Sequence, residues 1–116
     1  MLPGRGARPG VAAERRAARH YRLRGWTILG ANVWAGGNEL DLIARRGRRL
    51  RFVEVKEKTG PGWGDPLEMV TPEKQRRVRR AAAAWLASRP ELGGLAVGFD
   101  VVAVWEGKLR RVEDAF

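Results

Sequence analysis

Between Asn38 and Lys58 the chain alternates apolar and polar positions in two short runs, Leu40 to Ala44 and Leu50 to Val55, around an arginine-rich tip with a single Gly47. A period of two, with β-branched and aromatic side chains, predicts two strands. The loop Gly47-Arg48, with glycine first, suits a type II′ hairpin turn. That turn sets a register in which Leu40 meets Val55, Leu42 meets Val53 and Ile43 meets Phe52. The same register puts Asp41 opposite Glu54 and Glu39 opposite Lys56. All four polar groups then share one face.

The pattern changes on either side. From Gly10 to Arg24, Val11, Glu14, Ala17, Ala18 and Tyr21 recur at helical spacing, with Arg15, Arg16, Arg19 and Arg22 around the remainder. Gly25 ends this helix. Trp26 to Val33 reads as a strand with a bulge at Gly30, and Ala35 to Asn38 turns the chain into the hairpin. Thr59 to Asp65 is a Gly/Pro loop containing Trp63. Thr71 as cap, Pro72 at the first position and Glu73 in the first turn start a second helix running to about Ser88. Its inner stripe is Gln75, Val78, Ala82, Trp85 and Leu86, and basic residues dominate its first half. Leu95 to Trp105 is a strand with Asp100 inside an apolar run, and Lys108 to Val112 is the last strand after a Glu106-Gly107 turn.

The second helix must be a crossover, so the strand around Val101 lies parallel to the one ending at Lys56. The expected fold is α/β, a three-layer sandwich with a mixed sheet of about five strands and a helix on each side. Residues 1–9 read as a loose basic tail and residues 10–116 as one domain.

Composition narrows the chemistry. The chain has 116 residues and no cysteine, which excludes disulfides, zinc ribbons and thiol catalysis. The single histidine, His20, sits among arginines and reads as a solvated helix residue. The longest apolar run, Ala81 to Ala87, is too short to span a bilayer, and the N-terminus lacks a signal-peptide core. A cytoplasmic protein is expected. The net charge is +10 and the pI about 11.4, which makes nucleic acid the first candidate partner. Lysine occurs only at 56, 58, 74 and 108. The preference for arginine over lysine has the look of coding bias, but such a bias does not explain the excess of base over acid.

Two facing carboxylates destabilise a hairpin. At about 5 Å and an effective dielectric of about 20 their repulsion is roughly 3 kcal/mol. A hard divalent cation would offset it, since Mg²⁺ takes oxygen ligands and needs one or two carboxylates. Lys56, one strand step beyond Glu54, could hold a water or a phosphate oxygen, a set that fits phosphodiester hydrolysis. An ordinary surface hairpin, with Glu39 paired to Lys56 and Asp41 to an arginine, accounts for the spacing equally well. Glu14, an acid on the apolar side of its helix, is either an edge residue or a fifth member of the polar patch.

The run NELDLIA-x(7)-FVEVKEK, the acid-bearing first helix, VTPEKQRRVRRAAAAWL, FDVV and the closing VEDAF resemble the YraN-like bacterial proteins. These are predicted members of the PD-(D/E)xK nuclease superfamily, similar to archaeal Holliday-junction resolvases. The resemblance covers residues 10–116 and implies a restriction-endonuclease-like form of the sandwich. By position it makes Asp41 and Glu54 metal-binding acids, with the Val55 carbonyl as a further ligand. It makes Lys56 the lysine that orients or activates the attacking water. Glu14 matches an accessory acid on the first helix, Glu39 the glutamate of a Gly-Glu-Ile-Asp motif, and Gln75 a polar residue of the second helix. Asn38 departs from the usual glycine, Glu57 from threonine and Lys58 from arginine.

The implied activity is Mg²⁺- or Mn²⁺-dependent cleavage of DNA, with branched or structured DNA as the candidate form and RNA as the alternative acid. Arg15, Arg19, Arg45, Arg46, Arg48, Lys58, Trp63, Lys74 and Arg77 are the expected nucleic-acid contacts. Resolution of a two-fold junction would call for a homodimer. The competing expectations are a nucleic-acid-binding module that keeps the fold without cleaving, and an adaptor whose arginines meet an acidic partner or ribosomal RNA.

Overall fold

The computed structural model describes residues 10–61 and 64–116. The expected basic tail and Trp63 lie outside them. Helix α1, Val11–Arg22, leads into strands β1 (Thr27–Ala35), β2 (Asn38–Arg46) and β3 (Arg49–Glu57); helix α2 (Pro72–Ala87) then crosses over to β4 (Ala96–Trp105) and β5 (Lys108–Val112). The sheet has five strands in the order β1-β2-β3-β4-β5. β3 and β4 are parallel and every other neighbouring pair is antiparallel. The mixed sheet carries one helix on each face and forms a three-layer α/β sandwich. No helix among the described residues is long and apolar enough to cross a membrane.

Local chemistry explains the boundaries. Thr71 accepts a hydrogen bond from the Lys74 amide at 3.1 Å, and Pro72 opens α2. Gly25, at φ 85, supplies the left-handed residue just beyond α1. Gly36 and Gly37, at φ 56 and 79, make the tight β1–β2 turn. A Cβ on Gly36 would stand 3.0 Å from Ala81 Cα, so glycine there also lets the hairpin end seat directly on α2. Two short 3-10 turns that the sequence pattern did not suggest, Pro66–Met69 and Pro90–Leu92, flank α2.

Each face of the sheet has its own core. Ala13, Ala17 and Tyr21 of α1 pack with Trp26, Leu42, Ala44, Val53 and Val102. Val78, Ala81, Ala82 and Trp85 of α2 pack with Leu40, Ile43, Leu50 and Phe52. The β2–β3 register is as the turn dictates, Leu42 opposite Val53 and Ile43 opposite Phe52, with Gly47 at φ 60. The bulge in β1 falls between Ile28 and Gly30 and leaves Leu29 as the extra residue.

One carboxylate is wholly inside. Asp100, at 0% exposure, accepts from the Tyr21 hydroxyl at 2.6 Å and from Arg111 Nε and a terminal nitrogen at 3.2 and 3.0 Å. The Asp114 amide donates to its other oxygen at 3.1 Å, and Arg51 Nε lies 3.7 Å away. Four elements converge on this group. Burial and the adjacent Asp100 charge raise the Tyr21 pKa far beyond the usual phenol range. His20 is half-buried beside Tyr21, with ring centroids 5.8 Å apart. Burial, with Arg24, Arg111 and Arg16 nearby, lowers its pKa.

Candidate metal centre

Alternation alone would send side chains of β2 to opposite faces in strict turn. Leu40 and Ile43 nevertheless both pack toward α2, and Leu42 packs toward α1. Two successive residues, Asp41 and Leu42, therefore point to the α1 side, and the phase of the strand slips between them. The β2–β3 ladder stops at Leu42–Val53, one pair short of the expected Asp41–Glu54 pair. In place of that pair, Asp41 Oδ2 accepts the Val55 amide at 2.8 Å. A side-chain carboxylate takes the amide at the point where the β2–β3 ladder ends. Opposite, Asn32 adopts φ 54 in β1, a conformation asparagine tolerates better than most residues.

This slip gathers acids from two layers. Carboxylate oxygens of Glu14 on α1 and of Glu39 and Asp41 on β2 lie within 4.8 Å of one another, and all three residues are half-buried. The cluster could hold a metal ion. Its donors are all oxygen, the preference of Mg²⁺ and Mn²⁺ rather than of softer metals. It is partly open to solvent, so water and a substrate oxygen can complete a shell.

Glu54 adjoins the cluster from the other side. It is 2% exposed, hydrogen-bonds with Asp41, and has its carboxyl pushed up to about 8 by burial first and then by the Asp41 charge. The Lys74 ammonium, 3.5 Å from Glu54 Oε1, and Lys56 act in the opposite direction without prevailing. Lys74 also donates to Asn38 Oδ1 at 3.3 Å, which ties α2 to the start of β2. Lys56 lies two residues beyond Glu54, on the same side of the strand. It is half-buried and makes no hydrogen bond or ion pair among the described residues. The ionised form of Glu54 is thus disfavoured by burial first and by the neighbouring carboxylate second.

The expected site residues thus divide. Glu14, Glu39, Asp41 and Glu54 come together, with Lys56 and the backbone of Val55 at their edge. Gln75 donates to the Val70 carbonyl at 3.1 Å, which braces the start of α2. Among the expected nucleic-acid contacts, Lys74 faces Glu54. Arg77 pairs with Glu73 at 2.7 Å. Lys58 donates to the Thr59 carbonyl, Arg45 to that of Gly47, Arg46 to that of Arg24 and Arg48 to that of Gly94. Arg46 also stacks on Trp26, 5.1 Å from its ring centroid. These tip arginines sit at the end of the hairpin away from the acids.

Arg15 and Arg19 differ. Both are exposed, and neither has a hydrogen bond or ion pair among the described residues. With Arg16 and Arg22 they line a cleft of about 640 Å³ over Val104 and Gly107. Arg15 and Arg22 also border a second cleft of about 320 Å³ on the other flank of α1, next to Glu14, Asn32 and Leu42. The helix is a basic ridge whose one acid, Glu14, reaches the acidic cluster.

Comparison with known sequences shows the family. The profile described as "Uncharacterised protein family UPF0102" matches residues 13–104, from α1 through β4. The chain belongs to family UPF0102. This is the YraN-like group. A UPF0102 protein of Acidothermus cellulolyticus is 44% identical over 114 residues, covering 90% of this chain and 83% of that protein. One from Paramagnetospirillum magneticum is 42% identical, covering 94% and 87%. One from Granulibacter bethesdensis is 37% identical, covering 97% and 71%. The stretch matched by the UPF0102 profile includes all four clustered acids and Lys56.

Sequence reasoning missed several features of this UPF0102 site. Lys74 as the partner of Glu54 could not be told from a surface lysine on a basic helix. Asn38, read only as a departure from glycine, supplies a side-chain oxygen to that lysine. Asn32 and Trp34, both on the edge strand β1, drew no notice, although an Asn inside a strand pattern is itself a signal of unusual backbone.

Proposed function

We propose that this UPF0102 chain is a metal-dependent endonuclease-like protein that hydrolyses phosphodiester bonds in DNA, with branched or structured DNA as its candidate substrate. The observation that carries the reading is the convergence of Glu14, Glu39 and Asp41 within 4.8 Å beside a buried, high-pKa Glu54. Carboxylates packed this closely are an electrostatic liability, and a divalent cation offsets it. When bound, such a cation supplies Lewis-acid activation of water and neutralises charge developing at phosphorus.

The protein's own groups account for the rest. The Asp41 carboxylate is fixed by the Val55 amide, so one of its oxygens is already oriented. Lys56, free of other hydrogen bonds, is available to position a water or to donate to a non-bridging phosphate oxygen. Lys74 holds Glu54 at the cluster's edge. The arginines on α1 offer counter-charge to the phosphates flanking the reacting one, and binding through them weakens steeply with salt.

The test is calorimetric titration of Mg²⁺ and Mn²⁺ into wild type and Asp41→Ala, with and without DNA, followed by cleavage assays on branched, single-stranded and duplex substrates. Metal uptake and cleavage in wild type, both lost in the variant, are expected. Absence of metal uptake even with DNA present refutes the nuclease reading. The basic ridge on α1, which needs no acid to bind phosphates, then favours a non-cleaving nucleic-acid-binding module.

A further inference from the structure

The described residues include four tryptophans, at 26, 34, 85 and 105, and three of them are engaged. Trp26 and Trp85 are 4% and 5% exposed, and Trp105 Nε1 donates to the Gly60 carbonyl at 2.8 Å. Trp34 is 72% exposed and makes no hydrogen bond, ring contact or cation–π contact among the described residues. A lone exposed leucine such as Leu23 needs no special account. Trp34 does, because of where it stands.

Its neighbours in β1, Val33 and Ala35, pack toward α2, so Trp34 projects from the opposite face, the one that carries α1. Its cross-strand partner is Glu39, a member of the acidic cluster. Directly opposed residues hold their Cβ atoms about 5 Å apart on one side of the sheet. The indole therefore stands at the rim of the cluster, on the same face as Glu14, Glu39 and Asp41. Two residues on, Gly36 seats directly against Ala81 of α2. Nearby on that face, Arg15 and Arg22 border the cleft beside Asn32. An aromatic plane, an acidic cluster and a basic cleft thus lie side by side.

The geometry points to Trp34 as a stacking platform for an unpaired nucleobase next to the phosphodiester held at the acidic cluster. This inference rests on the nuclease reading for the position of the phosphate, and it adds a substrate class: strands with an unpaired base at that point, such as single strands, overhangs and branch points. A base inside an intact duplex has no free face to offer. Indole–base stacking is sequence-tolerant, since every base has a π-face. A protein partner seeking the same indole would gain nothing from the arginines beside it unless it were itself acidic, whereas a nucleic-acid strand presents base and phosphate together.

The test uses the full chain and fluorescently labelled oligonucleotides in EDTA, so that neither metal nor cleavage contributes. Anisotropy is measured on a single strand, a blunt duplex and a duplex with an overhang, for wild type, Trp34→Ala and Trp34→Phe. Trp34→Ala is expected to weaken single-strand and overhang binding by about fivefold to a hundredfold, the range for loss of one stacked base. Trp34→Phe should recover most of that loss, and blunt-duplex binding should change by less than about twofold. Binding in EDTA needs neither metal nor cleavage, so a failed nuclease reading leaves this readout intact. Equal weakening on all three substrates, or none with Trp34→Ala, overturns the assignment.

Discussion

Glu54→Gln isolates the most unusual electrostatic feature of the molecule. The native carboxyl holds its proton to about pH 8, against 4.5 as the ordinary value for the unfolded chain. Between those values the unfolded state has released a proton that the folded state keeps. The folded state therefore binds more protons, and stability falls as pH rises through that window. The slope approaches about 1.4 kcal/mol per pH unit, so by pH 7 the ionisable side chain costs about 3 kcal/mol relative to a neutral one. Glutamine is nearly isosteric, and its amide can donate to Asp41 as the protonated carboxyl does. Urea unfolding of both proteins at pH 5, 6, 7 and 8 in EDTA gives the difference directly and cancels the titration of groups not coupled to Glu54. The two should be nearly equal near pH 5, with the variant pulling ahead by a few kcal/mol near pH 8. Parallel stability curves across the range would refute the argument that burial and Asp41 hold Glu54 neutral.

Two further substitutions probe the rest of the molecule. Asp100→Ala leaves the largely buried Arg51 and Arg111 without their shared carboxylate and removes the acceptor of Tyr21; a loss of about 3–5 kcal/mol is expected from the urea midpoint at pH 7, and a loss below about 1 kcal/mol would show that the network does not hold the fold. Arg15→Gln with Arg19→Gln should lower the slope of log affinity against log salt for DNA by about 1.4–1.8 if each arginine meets one phosphate, and an unchanged slope places the phosphates elsewhere.

The fold was legible where local chemistry and period agreed. The Gly47-Arg48 turn and strict alternation dictated the β2–β3 register from Leu42 to Arg49. Thr71 and Pro72 dictated the start of α2, and a crossover helix made β4 parallel to β3. The gathering of the acids was legible, because acids inside apolar runs stand out, but its geometry was not. Period-two reasoning placed Asp41 squarely opposite Glu54. It could not foresee that the Asp41 carboxylate would capture the Val55 amide, end the ladder and slip the phase of β2 toward α1. That outcome is a competition between a side chain and a backbone carbonyl for one donor, and nothing in the spacing decides it. The same limit hid Trp34, whose face of β1 is set by the left-handed conformation of Asn32 two residues earlier.

Two buried carboxylates in adjacent strands, Asp100 and Glu54, make the argument for function sharper than either alone. Asp100 is surrounded by a hydroxyl, an amide and two guanidinium groups, so its charge is fully answered from within the chain. Glu54, almost as deeply buried, meets another carboxylate and a single lysine at 3.5 Å, and its proton is retained well above the ordinary range. A fold able to supply Asp100 with so many donors has no general difficulty satisfying a buried acid, and a chain carrying 23 lysines and arginines has cations in abundance. The crowding at Glu54 and Asp41 is therefore local, at the point where strand pairing is interrupted and the carboxylates of Glu14 and Glu39 also converge. A divalent cation bound there, as the proposed function requires, would meet that demand from outside the chain, whereas Asp100 meets its own from within.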